Sequence, residues 1–473
     1  MNIFENIISF GNDLLWSKVL IIVLIGLGLY FTIKTKFVQF RMIGEMFRLL
    51  GEGVGHTVDK EKKSVSSFQA FAMSTASRVG TGNLAGVALA ISLGGPGAVF
   101  WMWLIALIGS ASAFVESTLS QIYKIKDNEG YRGGPAYYME NGLNKRWMGI
   151  IFAILITITF GLVFNSVQAN TIALSLEGAY GLNRLLVGII LAIFTGVIIF
   201  GGVHRVAKVS GLIVPIMAIF YLLIAIFVVI KNINLIPSVF ALIFSNAFGL
   251  KEVVSGGIGA ALMYGIKRGL FSNEAGMGSA PNAAATAEVS HPVKQGLIQA
   301  LSVFTDTLII NSATAFIILT TSAWTKSDLE GIAITQAALS THVGGWATAF
   351  LAIAVFLFAF SSVIGNYYYG ETNIEFIRTN KSWLLVYRLL VIGMVLFGSV
   401  AKIQIVWDMA DLFMGLMALI NLIAITLLGK YAFDALNDYL KQRKEGKEPV
   451  FYQKNISGLK NVECWNEPVK EKI

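Results

Sequence analysis

Residues 77–83 read SRVGTGN, in the middle of a run from 66 to 93 that is apolar enough to span a membrane. Gly80 and Gly82 each lower helix propensity by about 1 kcal/mol relative to alanine. A helix interrupted there frees backbone N–H groups and a positive helix end for a carboxylate, and frees carbonyls for a cation. In lipid such irregular backbone is tolerated only where protein buries it or a cavity lies beside it. A second stretch has the same character. GIKRGLFSNEAGMGSAPNAAATA, from Gly265, carries Gly269, Gly276, Gly278 and Pro281, with polar Ser272, Asn273 and Glu274 among them. One glycine-rich span is explained by close helix packing. Two, in corresponding places and both polar, point to a binding site.

The candidate substrate contacts of the first break are Thr75, Gly80, Thr81, Gly82 and Asn83; those of the second are Gly269 and Phe271. Phe164 and Gln168 are four residues apart and share a helix face. An amide is costly in a hydrocarbon span unless paired, so Gln168 either reaches a substrate carboxylate or bonds a neighbouring helix. Asn366, four residues after Ser362, carries the same two readings. Phe271 closes a pocket over a small side chain or belongs to the core. Charged residues within the spans are Arg78, Glu116, Lys267, Arg268, Glu274, Asp306, Asp408 and Asp411. Arg78 keeps its proton and needs a carboxylate or water. Glu116 and Glu274 are its candidate partners, as a static tie or as a gate. Asp408 and Asp411, near a span end, are expected to face water.

The elements that position these residues follow from composition. Of 473 residues, 55% are hydrophobic and 14% charged, with mean hydropathy +0.69, against about 25% charged in an average soluble domain. Such a chain needs lipid. Eleven spans are expected: 15–33, 66–93, 97–123, 147–176, 184–202, 208–230, 253–280, 293–321, 344–369, 383–400 and 404–429. With the first set aside, two sets of five remain, and an odd number of spans inverts one half relative to the other. The interrupted spans open each half, which is the best sequence pointer to a transporter's site. The fold class expected is an all-α integral membrane protein. Its parts are an N-terminal extra helix with a basic linker (1–65), a first five-helix repeat (66–230), an external connection (231–252), a second inverted repeat (253–429) and a basic cytoplasmic tail (430–473).

With the N-terminus outside, 27 of the 36 Lys and Arg fall in inside segments, six outside and three within spans. That bias sets orientation. It makes the +8 net charge a topology signal, so no nucleic-acid partner is expected. The tail KQRKEGKEPV reads as a solvated cytoplasmic end. The opening residues lack a basic n-region and a cleavage site, so no removable signal peptide is expected. There is a single Cys464 and four scattered histidines, with no HExxH, GxSxG or Walker motif, which argues against an enzyme or ATP coupling. A channel would not need two broken helices in inverted halves.

STASRVGTGNLAGVALAI, GGPGAVFWMW with the downstream FVESTLSQIYK, GGPAYYME and GLFSNEAGMGSAPNAAA resemble the alanine/glycine:cation symporter family, over about 66–430. The resemblance implies a leucine-transporter-like fold and symport of alanine or glycine with sodium, in a cell membrane. It also implies a sodium site between the first and eighth core helices, with backbone carbonyls near Ala76 and Val79 and the hydroxyls of Ser361 and Ser362. Hard cations take oxygen ligands of this kind; membrane serines also bond back to their own helix. The alternative is a proton-coupled carrier in which Glu116, Glu274 or Asp306 titrates.

Overall fold

Long apolar runs fold as helices because a backbone in lipid must satisfy its own polar groups. The computed structural model describes residues 3–55, 65–127, 130–201, 218–250 and 257–466. In chain order the helices are α1 (Ile3–Lys34), α2 (Ile43–Gly55), α3 (Ser67–Arg78), α4 (Gly82–Gly94) and α5 (Ala98–Ile122). A short hairpin, β1 (Ile125–Asp127) and β2 (Gly130–Arg132), leads to α6 (Pro135–Asn141), α7 (Arg146–Tyr180) and α8 (Arg184–Ile199). Then come α9 (Ala218–Lys231), α10 (Ile233–Ala247), α11 (Gly257–Asn273), α12 (Ala280–Ala285) and α13 (Pro292–Leu319). The last four are α14 (Ile332–Val343), α15 (Trp346–Ile377), α16 (Lys381–Val400) and α17 (Ile403–Lys444).

Seven of these helices are long and apolar enough to cross a membrane alone, and an eighth span results if the bent pair α9 and α10 is counted as one. The difference from eleven has identifiable sources. The second span is split at Val79 and Gly80, leaving α3 and α4 each too short to be counted. The seventh is split between Asn273 and Ala280. Much of the expected 208–230 span and the start of 253–280 lie outside the described residues.

The spans sort by burial. Some 72% of the apolar window of α5 is buried against 28% for α16, so α5 is central and α16 faces lipid. α5 packs against α11 and α13; α7 packs against α15 and α16. Small residues permit this closeness. A Cβ on Gly296 of α13 would sit 2.2 Å from Thr118 Oγ1 of α5, and one on Gly398 of α16 would sit 2.2 Å from the Ser166 carbonyl of α7. Larger side chains there would force the helices apart.

The half-helices α3 and α12 are tied together at one face, the one to which the count of Lys and Arg in the sequence assigns most of the basic residues. Ser66 caps α3 by accepting from the Gln69 N–H at 3.2 Å, while its own N–H donates to Gln69 Oε1 at 2.8 Å. This reciprocal box satisfies two donors that a helix start leaves open. Just before it, the Val65 carbonyl accepts from the Glu288 N–H at 3.0 Å, which joins the start of α3 to the end of α12.

Two features differ from expectation. α14, between two of the expected spans, lies over the first broken span; Thr335 Oγ1 donates to the Leu84 carbonyl at 2.9 Å. The final helix does not end near 429 but runs on to Lys444, and the chain beyond it is packed rather than solvated. Phe451, Ile456, Leu459, Val462 and Trp465 are buried, because they recur on one side of the tail and together cover the basic face. The Phe451 N–H reaches the Ser290 carbonyl at 2.9 Å, and Trp465 Nε1 donates to the Gln121 carbonyl at 2.8 Å.

Candidate substrate and cation site

The first break is brief. α3 ends at Arg78, Val79 is extended (φ −77°, ψ 93°), and helix resumes at Thr81 through a wide turn, Gly82–Gly86. Glycine is required by close approach on two sides. A Cβ on Gly80 would lie 2.5 Å from Ser362 Oγ and 3.0 Å from Gln168 Oε1. One on Gly82 would lie 3.1 Å from both Phe271 Cδ1 and the Ser272 Cα. The break therefore brings α7, α11 and α15 to one point.

Its freed backbone groups meet side chains. The Gly80 N–H donates to Asn83 Oδ1 at 2.9 Å, and the Thr81 N–H donates to Gln168 Oε1 at 3.2 Å. Gln168 thus presents an oxygen to a backbone donor that the break frees. On the other side, Ser362 Oγ lies 3.0 Å from the Ala76 carbonyl and 3.5 Å from the Val79 carbonyl. Ser361 does not join it: its hydroxyl bonds back to the Phe358 carbonyl of its own helix at 2.7 Å. Asn366 Oδ1 accepts from Ser77 Oγ at 3.2 Å, one turn below. Thr75 is adjacent on α3, with no partner for its hydroxyl among the described residues. Gly269 faces away, against Ile105 and Met102 of α5, and serves packing.

The second break is held open by left-handed backbone. Glu274 (φ 56°), Gly276 (φ 82°) and Gly278 (φ 89°) all lie in that region. Glu116 of α5 secures it: its carboxylate accepts from the Gly276 and Gly278 N–H groups at 3.0 and 3.1 Å and from Asn421 Nδ2 at 2.8 Å. Glu274 accepts from Ser77 Oγ at 2.8 Å and Ser279 Oγ at 2.5 Å, so it joins the two breaks. Neither carboxylate is paired with Arg78, contrary to the expected tie or gate. The reason is geometric: both are already held by the second break, and Arg78 turns to Gln299 of α13, at 3.3 Å.

Sequence reasoning missed Asn311 and Trp407, and missed that the other residues around them cluster. Asn83 Nδ2 donates to Asp306 Oδ1 at 2.7 Å and to Asn311 Oδ1 at 2.8 Å, and Ser272 Oγ donates to Asp306 Oδ2 at 2.7 Å, forming a fully buried polar cluster. Above the break the rings of Phe164 and Phe271 lie 4.5 Å apart, and Trp407 is 4.7 Å from Phe271. The Arg268 guanidinium sits 4.4 Å over Trp407 and pairs with Asp411, which Lys267 approaches to 3.4 Å. Asp411 is buried, not water-facing as expected, because two cations on α11 meet it there. An aromatic lid under an ion pair was not visible in a sequence where Trp407 reads as one more apolar residue.

The arrangement gathers backbone N–H groups, carbonyls and amide side chains at one break, and nothing among its described residues forms a nucleophile with a base. Comparison with known proteins agrees. The pattern of the sodium:alanine symporter family matches residues 1–453. The chain belongs to that family. It is 60% identical over 463 residues to the probable sodium/glutamine symporter GlnT of Bacillus subtilis (strain 168), covering 98% of this chain and 96% of the relative. It is 61% identical over 468 residues to the amino-acid carrier protein AlsT of the same strain, covering 99% of each. Among solved structures it resembles an Eremococcus coleocola manganese transporter, with TM-score 0.52 at 13% identity over 82% of this chain and 89% of that one. That likeness is one of fold, and it meets the expectation of a leucine-transporter-like helical protein. This member of the sodium:alanine symporter family is a multi-pass membrane transporter and not an enzyme.

Proposed function

We propose that the protein takes up a small neutral amino acid, alanine or glycine, together with sodium, the N-terminus lying outside and the basic face in the cytoplasm. The observation that carries this reading is the first break. One side offers the Ser362 hydroxyl facing the Ala76 and Val79 carbonyls, an all-oxygen setting that suits a hard cation. The other holds the Thr81 N–H, bonded here to Gln168 Oε1, and the Gln168 NH2 group as donors that a carboxylate would take over when that bond opens. Two inverted halves, 66–230 and 253–429, each opening with a broken helix, fit the alternating-access design of such carriers. The three aromatic rings over the break favour a short side chain.

Two arms of one experiment test this. In proteoliposomes, alanine uptake should require an inward sodium gradient and no nucleotide; uptake driven equally by a proton gradient without sodium would reject sodium coupling. Competition by glycine, alanine, glutamine and leucine then tests size. The glutamine arm matters because a 60% identical relative is named for glutamine. Equal competition by alanine and glutamine would reject the small-substrate reading. A second reading, proton coupling, is favoured by one observation: Glu116, Glu274 and Asp306 are all buried, and none has a basic side chain within ion-pair distance among the described residues.

A further inference from the structure

Among the described residues Arg78 is a buried charge that is left largely unsatisfied. It is 2% exposed, yet its Nε and Nη2 have no hydrogen-bond partner, and only Nη1 meets an acceptor, Gln299 Oε1 at 3.3 Å. A guanidinium stays charged at any physiological pH, so it cannot shed the mismatch by losing a proton. Its surroundings share the same deficit. Gln299 Nε2, both amide atoms of Gln295 and Ser302 Oγ on α13 lack partners, as does Thr75 Oγ1 on α3. Native interiors leave few such atoms, and here five side chains along the α3–α13 contact have them.

The free atoms are chemically specific. Nε and Nη2 form one edge of the guanidinium, the edge that grips a carboxylate through two parallel N–H bonds. Arg78 lies two residues before Gly80, within about 7 Å along the chain. It ends α3, which runs from the break toward the basic face. We propose that Arg78 is a second carboxylate station: the amino acid, on leaving the first break for the cytoplasm, passes its carboxylate to the free Nε/Nη2 edge, along the polar seam between α3 and α13. This rests on the reading that the substrate sits at the first break. Glu116, Glu274 and Asp306 all lie within the electrostatic reach of Arg78.

The test compares wild type with Arg78→Gln and Arg78→Lys. Calorimetry on purified protein with sodium reads the central site; the alanine Kd should change less than threefold in both variants. Net uptake into proteoliposomes should slow at least tenfold in Arg78→Gln. Arg78→Lys keeps the charge and loses the two-bond edge, so its rate should fall between. Propionate, a carboxylate without an ammonium group, should inhibit alanine transport from the cytoplasmic side in inside-out vesicles, and Arg78→Gln should abolish that inhibition. If Arg78→Gln fails to fold, Arg78→Lys decides on the same two readouts. Wild-type uptake, undiminished propionate inhibition, or inhibition by chloride as strong as by propionate would overturn the proposal. So would a Kd that weakens in step with the rate, since that places Arg78 in the central site. A wild-type protein that binds no alanine would instead overturn the proposed function itself.

Discussion

Two adjacent serines show how far single residues can be read. Ser361 and Ser362 were equivalent in the sequence, but neighbours on a helix point about 100° apart, and only Ser362 faces the Ala76 and Val79 carbonyls. Ser362→Ala should therefore raise the sodium concentration for half-maximal uptake at least tenfold, whereas Ser361→Ala should shift it less than threefold. Equal shifts would show that the hydroxyl pair acts as a unit. Gln168 was legible as a costly amide, and its partner, the Thr81 N–H, was not. A hydrogen bond to a charged group is worth roughly 1.5–3 kcal/mol. Gln168→Ala should weaken alanine binding about tenfold or more by calorimetry while the protein stays folded; unchanged affinity would make Gln168 a packing amide. Arg78 was visible as a charge in a span, but its lack of a carboxylate partner depended on where Glu116 and Glu274 had already been spent, which no spacing reveals.

At the scale of elements, the breaks were the most legible part of the chain. Glycine and proline at mid-span leave few alternatives, and the interruptions fall at Val79–Gly80 and between Asn273 and Ala280. What holds the second one was hidden, because Glu116 lies 160 residues from Gly276 and reads only as a stray acid. Its carboxylate satisfies two backbone donors and an amide at once. Glu116→Gln keeps one acceptor and introduces a donor facing donors, so at least one buried N–H goes unmet, at about 1–3 kcal/mol. A drop in the thermal unfolding midpoint of several degrees is expected in detergent, where sodium and alanine are absent. A midpoint equal to wild type would mean the break holds itself open. α14 was missed for a different reason: a helix of 12 residues is too short to stand out beside spans of 20 or more.

For the whole molecule, the basic face was legible as charge and misread as structure. Counting Lys and Arg located it; the five apolar residues from Phe451 to Trp465, which pin the tail back over it, were hidden under that charge. Lys124 sits beneath the tail, its Nζ donating to the Ala287 carbonyl at 2.9 Å and lying 4.9 Å from the Trp465 ring. Burial pushes its ammonium down to about 7. The undocked state, with Lys124 in water near its ordinary 10.5, binds more protons between those values. Docking therefore gains stability as pH rises through that window and loses it as pH falls toward 7. Proteolysis of the tail, normalised to an unstructured peptide, should be several-fold slower at pH 9 than at pH 7. Lys124→Met should be cut at a rate independent of pH. Faster cutting at pH 9 in wild type would mean the charged ring contact outweighs burial.

α17 is a single helix of 42 residues, about 63 Å long at 1.5 Å per residue, twice the roughly 30 Å of a bilayer's hydrocarbon core. It carries Asp411 of the outer ion pair near one end, and Gln442, whose Nε2 holds the Val450 carbonyl of the tail at 2.9 Å, near the other. An unbroken rod of that length ties the buried ion pair at one end to the docked tail at the other. A binder raised against the tail end of that rod, such as an antibody fragment too large to enter the membrane, should therefore slow transport by holding the distant ion pair in one place.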